Sequence, residues 1–214
     1  MHRTLILASN SLRRRQLFAL LGLPFAVITV EVDESAIAGE TPAGMVRRLS
    51  LAKARAVAMR LREPALVVGA DTTVAVDGRA LGKPSDVEDA RRMLRLLRGR
   101  AHQVYTGVSL VETPGGRTRN WATESQVWLR RYDDTEIEAY IATGDPFDKA
   151  GAYAIQHPVF RPVVRVEGCY ANVMGLPLCD IIVHFWQMNV PVKRDVRAEC
   201  SAATGYLCSC ETKS

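Results

Sequence analysis

The 214-residue sequence lacks any apolar stretch able to cross a bilayer: the longest run near its C-terminal end, Ile181 to Met188, carries His184 and is far shorter than the about 20 residues a membrane-spanning helix needs. The five cysteines, at 169, 179, 200, 208 and 210, form an odd set, and no signal peptide is expected ahead of them. That usage predicts thiols in a reducing compartment, the cytoplasm, rather than a disulfide framework. Cys200, Cys208 and Cys210 lack a fourth ligand and a recognised zinc spacing, and His102, His157 and His184 are not paired at metal-ligand spacing. There is no nucleophile-elbow sequence, no Walker-type Gly-Lys-Ser/Thr loop and no internal repeat. Zinc, serine-hydrolase and P-loop chemistries are therefore not indicated.

What is present suits one globular domain. Hydrophobic residues make up 48% and charged residues 24% of the chain, enough for one substantial core in a single domain over residues 1–189. From about Val190 onward apolar periodicity fades, which predicts a poorly ordered tail over 190–214. A net charge of +5 welcomes anions of any kind. Much of the excess lies in Arg13, Arg14 and Arg15 and in the run from Arg91 to Arg100, the latter reading as the solvated face of a helix. No nucleic-acid-binding motif accompanies it, so small phosphorylated ligands are favoured as partners over nucleic acid or membrane.

Strand and helix signals alternate along the chain without a sustained βαβ rhythm, predicting an α/β fold with a mixed, twisted sheet flanked by helices. Leu5 to Ala8 reads as a strand that runs into Ser9-Asn10-Ser11, a capping sequence for a helix closed at Gly22. Thr41-Pro42 opens a second helix with Met45, Leu49, Ala52 and Ala56 inward and Lys53 at the edge of that stripe. Leu66 to Ala70 is a buried strand delivering Asp71, followed by an alternating segment to the turn at Asp77-Gly78. Ser85 and Glu88 predict a capping box for a helix with Ala90, Met93, Leu94 and Leu97 inward. Gln103 to Glu112 and Thr118 to Leu129 predict a hairpin, Thr135 and Glu138 cap a short helix, Val163 to Val166 form a last strand, and Pro177 starts a closing helix.

Three constellations carry chemistry. Ser9, Ser11, Arg13 and Arg14 stand where a strand ends and a helix begins, so hydroxyls, guanidiniums and exposed N–H groups converge on an anion site. Taken by itself, that segment reads more readily as a capped surface helix with solvated arginines, because such caps are common. Glu34, Lys53, Asp71 and Lys83 occupy loop, helix-edge and strand-end positions that can face one cleft: two carboxylates suit a magnesium ion, two lysines a triphosphate, and the acid can orient or deprotonate water. Asp145 to Gln156 is rich in small residues that admit close backbone approach, with Lys149 nearby and Gln156 able to read donor and acceptor edges of a base.

Together these segments resemble the Maf family of nucleotide pyrophosphatases, also called septum-formation inhibitor-like proteins. The resemblance rests on Leu5 to Arg14, Gly69-Ala70-Asp71-Thr72, Gly82-Lys83-Pro84, His102 to Val108, Asp148 to Gln156 and Asn172 to Leu178, in that order. It implies two lobes around a central cleft, similar to the inosine triphosphate pyrophosphatases; a divalent metal, Mg²⁺ or Mn²⁺; release of a nucleoside monophosphate and pyrophosphate; and a homodimer as an admissible assembly. It assigns Asp71 as proton acceptor, links Arg13, Thr72 and Gln156 to substrate choice, and lines the phosphate and metal site with Ser9, Arg14, Glu34, Lys53 and Lys83. Leu12 replaces the family's usual proline, and His157 to Pro162 replaces a glycine-containing stretch. Asp148 to Gly151 with Gln156 resembles the branch acting on thymidine and uridine triphosphates. A nucleotide sensor regulating cell division without hydrolysis is the alternative reading of the same pocket.

Overall fold

The structure, a computed structural model, describes residues 3–208. Its centre is a mixed sheet in the order β2-β1-β3-β5-β6-β7, built from β1 (Thr4–Leu7), β2 (Ala26–Val27), β3 (Ala65–Val76), β5 (Ala101–Thr113), β6 (Thr118–Leu129) and β7 (Val163–Glu167); β4 (Arg79–Leu81) pairs separately with β3. β1 runs parallel to both its neighbours and the remaining pairs are antiparallel. The two segments expected either side of Asp71 are one continuous strand, β3, in which only Thr72 escapes full burial. Both faces are covered, so the alternation a half-buried strand would show is lost.

The long strands run through two packed lobes. In one, α1 (Leu12–Ala19) and α6 (Leu178–Gln187) bury Leu17, Phe18, Ile181 and Phe185 against Leu5, Leu66, Val68 and Leu110. In the other, α3 (Val87–Leu97) and α4 (Asp134–Ala142) pack Met93, Leu94, Leu97 and Ile137 onto Val74, Val104 and Val127. The inward stripe of α3 is the one its spacing predicts. Its outward arginines are neutralised: Arg91 pairs with Glu88 and Glu138, Arg92 with Asp89, Arg95 and Arg98 with Asp134, and Arg100 with Asp77. Exposed pairs of this kind contribute little to stability, but they remove the free basic face a nucleic-acid site would need.

Several local expectations shift. The cap of α3 is Asp86, one residue beyond the predicted Ser85, and accepts from the Asp89 amide, while the reciprocal capping box of α4 uses Asp133 and Glu136, two residues before the predicted pair. Carboxylates took the role assigned to hydroxyls, an interchange the cap tolerates. The helix opened by Thr41 is α2 (Pro42–Ala58), but it buries Val46, Leu49, Ser50, Ala54 and Val57 rather than Met45, Ala52 and Ala56. The cause is close approach: a Cβ on Gly69 would lie 2.2 Å from the Ser50 carbonyl oxygen, and one on Gly107 2.1 Å from that of Val46. With two strands carrying no side chain there, the helix settles on its small residues, and Ser50 hydrogen-bonds Ser109 in the interface.

Residues 190–208 depart from the expected poorly ordered tail. Asp195 caps α7 (Val196–Thr204), and Val192, Val196 and Cys200, spaced by four, are buried in the core of the first lobe. That one-residue-wide stripe is too narrow to register as helical periodicity. The rest of that expectation, 209–214 with Cys210, lies outside the described residues. A short helix, α5 (Tyr170–Met174), joins β7 to α6 and was not foreseen either.

Candidate active site

The site is organised by a gap in the sheet. One edge of β3 is paired with β5 from Ala65 to Ala75. The other is paired with β1 only over Ala65 to Val68, extended by the Ala8 amide bonding the Val68 carbonyl, and with β4 only over Val74 to Val76. Gly69 to Thr73 therefore present an open edge between the two lobes, with Asp71 at its centre. Unpaired backbone in such a place must be satisfied by side chains or ligand.

Arg14 fills part of that gap. Its Nη1 donates to the Ala70 carbonyl at 2.9 Å and to Ser9 Oγ at 3.4 Å, its Nη2 to Thr72 Oγ1 at 2.9 Å, and its Nε to the Gly175 carbonyl at 2.9 Å. A guanidinium has five N–H donors, so one, on Nη2, is left for a ligand. Burial lowers the Arg14 pKa, an effect the Asp71 carboxylate opposes. Arg14, expected with Arg13 at the anion site, turns most of its donors inward and ties the Ser9 turn to β3. Arg13 is the outward one, 3.8 Å from Asp148 across the cleft.

From the other face of β3, the close packing of α2 on Gly69 delivers Lys53. Its Nζ lies 2.6 Å from Asp71 Oδ1 and 2.7 Å from Glu34 Oε1. Asp71 is 8% exposed, so this partner offsets much of the cost of burying its charge. Burial pushes the Glu34 carboxyl up, but its bond and attraction to Lys53, with Lys83 and Arg14 behind, outweigh that and hold it below the usual range. Lys83, exposed just beyond β4, is near enough for its charge to act on Glu34.

Ser9 is buried and its Oγ accepts from the Ser11 amide, while Ser11 caps α1 by accepting from the Arg14 amide. Lys149 is held by Asp145 at 2.8 Å and Asp148 at 2.5 Å, its side chain 8% exposed, which fixes the loop. Gln156 is exposed in the turn after the buried Tyr153 and Ala154. The structure thus brings together Ser9, Arg14, Glu34, Lys53, Asp71, Thr72 and Lys83, places Arg13 at the rim, and puts Lys149 and Gln156 on the loop that faces it through Asp148. Sequence reading missed Thr106, whose Oγ1 is 2.9 Å from Thr72 Oγ1, and Gly175; both lie within segments that carry the resemblance, but nothing in their spacing marks them.

This is an α/β protein in which a buried acid, held by a lysine, lies on the open edge of β3 that Arg14 ties to the Ser9 turn. A family model described as Maf-like protein matches residues 4–187, and the chain belongs to that family. It is 50% identical over 177 residues to the dTTP/UTP pyrophosphatase of Moorella thermoacetica, covering 83% of this chain and 91% of that protein. Against the dTTP/UTP pyrophosphatase of Symbiobacterium thermophilum it is 45% identical over 188 residues, covering 88% and 95%. Among solved structures, the Ham1 protein of Staphylococcus aureus aligns with a TM-score of 0.41 at 17% identity, over 59% of this chain and 72% of that one.

Proposed function

We propose that this chain hydrolyses nucleoside triphosphates, dTTP and UTP foremost, to a nucleoside monophosphate and pyrophosphate, and so clears unwanted nucleotides from the cytoplasmic pool. The observation that carries this reading is Asp71 at the open edge of β3, joined to Lys53 and beside Arg14; the substrate preference follows the names of the relatives. No helix among the described residues is long and apolar enough to cross a membrane.

In this mechanism the triphosphate lies over the Ser9 turn, where the N-terminus of α1, the Ser11 hydroxyl and Arg13 attract it, with Lys53 and Lys83 neutralising its charge. Asp71 aligns a water and takes its proton as the water oxygen bonds to the α-phosphorus. The bond from that phosphorus to the α–β bridging oxygen breaks, and pyrophosphate departs in line. Positioning and charge stabilisation supply most of the rate, as phosphoryl chemistry requires. Gln156 and the loop fixed by Lys149 form the wall toward the base, and Thr72 lies at its foot.

Glu34 and Asp71 are the residues that would hold a divalent cation, Mg²⁺ or Mn²⁺. Both already converge on one cationic centre, Lys53 Nζ, and among the described residues no group of three or more His, Cys, Asp or Glu is arranged to hold a metal. Two carboxylates suit an ion that takes its other ligands from water and substrate phosphate. Bound there, it supplies a more acidic water and neutralises phosphate charge.

The test is product analysis over a panel of dTTP, UTP, CTP, GTP and ATP with Mg²⁺ or Mn²⁺. Equal amounts of monophosphate and pyrophosphate from dTTP and UTP are expected. Diphosphate and orthophosphate, or tight binding without turnover as a sensor would give, contradict the proposal.

A further inference from the structure

We propose that Thr106 is a positioning residue for this reaction, acting through Thr72 and Arg14; the inference rests on the pyrophosphatase reading above. Thr106 lies on β5 directly opposite Thr72 in the strand register and is fully buried. Its hydroxyl contacts Thr72 Oγ1 at 2.9 Å and the Asn172 carbonyl at 2.8 Å. Both ends of the chain of bonds fix its direction. A carbonyl only accepts, so Thr106 spends its hydroxyl hydrogen on Asn172 and must accept from Thr72. Arginine only donates, so Thr72 receives Nη2–H of Arg14 on the same oxygen whose hydrogen it gives to Thr106. The order Arg14 to Thr72 to Thr106 to the Asn172 carbonyl is the one direction consistent with both ends.

The far end of this chain is rigid. Asn172 is fully buried, and its Nδ2 donates to the Val104 carbonyl at 3.1 Å and to Ser125 Oγ at 3.0 Å, pinning α5 to β5 and β6. Three residues on, α5 ends at Gly175 with φ +109, a left-handed conformation, and its carbonyl receives Arg14 Nε. The same five-residue helix therefore holds the guanidinium twice, once directly and once through the two threonines. A side chain at 175 would be strained there, and its Cβ would stand 3.2 Å from both Arg14 Nε and Thr72 Oγ1. With its hydrogen committed inward, Thr72 offers a bound nucleotide only a lone pair, and the remaining Nη2–H of Arg14 keeps a fixed aim beside Asp71. Bonds of this kind in series reinforce one another where water is excluded.

The test compares Thr106→Val, Thr106→Ala and Thr106→Ser with the wild-type chain, using kcat, KM and thermal midpoint with dTTP. Removing the hydroxyl leaves Thr72 free to rotate and Arg14 loosely aimed. In the Val and Ala variants kcat is expected to fall about ten- to hundredfold, as sub-ångström to ångström misplacement of a catalytic group does, with KM within about threefold of wild type. Ser restores the hydroxyl and is expected to recover kcat to within about threefold even though it loses a buried methyl. Combined with Arg14→Lys, the Val substitution should cost little further, since both act through one network. A Val variant as active as wild type overturns the inference. So does activity that follows only the amount of folded protein across all three variants, including the case where Val and Ala do not fold. Absence of turnover in the wild-type chain instead overturns the pyrophosphatase reading itself.

Discussion

Lys53 occupies the point where the Asp71 and Glu34 carboxylates converge, its Nζ 2.6 Å from one and 2.7 Å from the other. A divalent cation claiming the same oxygens must displace that ammonium, and the phosphates of a nucleotide are the anions that would receive it. On the proposed mechanism metal and substrate would be coupled through one side chain, the nucleotide drawing Lys53 away from the carboxylate pair that would hold the cation.

Lys53→Met is accordingly expected to bind Mn²⁺ more tightly without nucleotide, by about tenfold if about 1.4 kcal/mol of competition is removed, and to bind dTTP more weakly. The variant also leaves Asp71 buried without its partner, so its thermal midpoint falls, and added Mn²⁺ should raise that midpoint more than it does in wild type. Titration followed by electron paramagnetic resonance of free Mn²⁺ and a thermal-shift series measure both. Unchanged Mn²⁺ affinity would show that Lys53 does not guard the site.

His102 supplies a pH dependence of stability. Its ring is fully buried, with Nε2 2.7 Å from the Tyr153 hydroxyl and Nδ1 without a partner among the described residues, and burial lowers its pKa to about 4. The unfolded chain takes a proton on this histidine near its ordinary value of about 6.5, while the folded chain resists until about 4. Between those values the unfolded state binds more protons, so stability is fully present above about pH 6.5 and declines as pH falls toward 4. The loss from this group is about 3 kcal/mol. Denaturant unfolding of wild type and His102→Phe across that range should show the extra slope only in wild type; parallel curves would assign the acid sensitivity elsewhere.

Much of this architecture is visible in the chain. The strand into Ser9, the Pro42 start, the inward face of α3 and the β5–β6 hairpin follow from caps and apolar spacing, and the resemblance selects Asp71, Lys53, Glu34 and Lys83 from among many charges. What the sequence conceals is geometry that depends on absence or distance. Gly69 and Gly107 matter because α2 comes close, which rotates its buried face and brings Lys53 to Asp71. Arg13 and Arg14 are adjacent and chemically equivalent, yet one is turned outward and the other into the sheet gap, a division set by the carbonyls of Ala70 and Gly175 rather than by any local pattern. Thr106 is an ordinary strand residue until its register opposite Thr72 is known.

The most direct measurement is made on Asp71→Asn, with turnover of dTTP and equilibrium binding of dTTP determined on the same preparation. The substitution keeps the shape of the side chain and removes its capacity to take a proton. We expect kcat to fall by at least about a hundredfold while dTTP still binds within about tenfold of wild type. Turnover at the wild-type rate would contradict the central role given to Asp71.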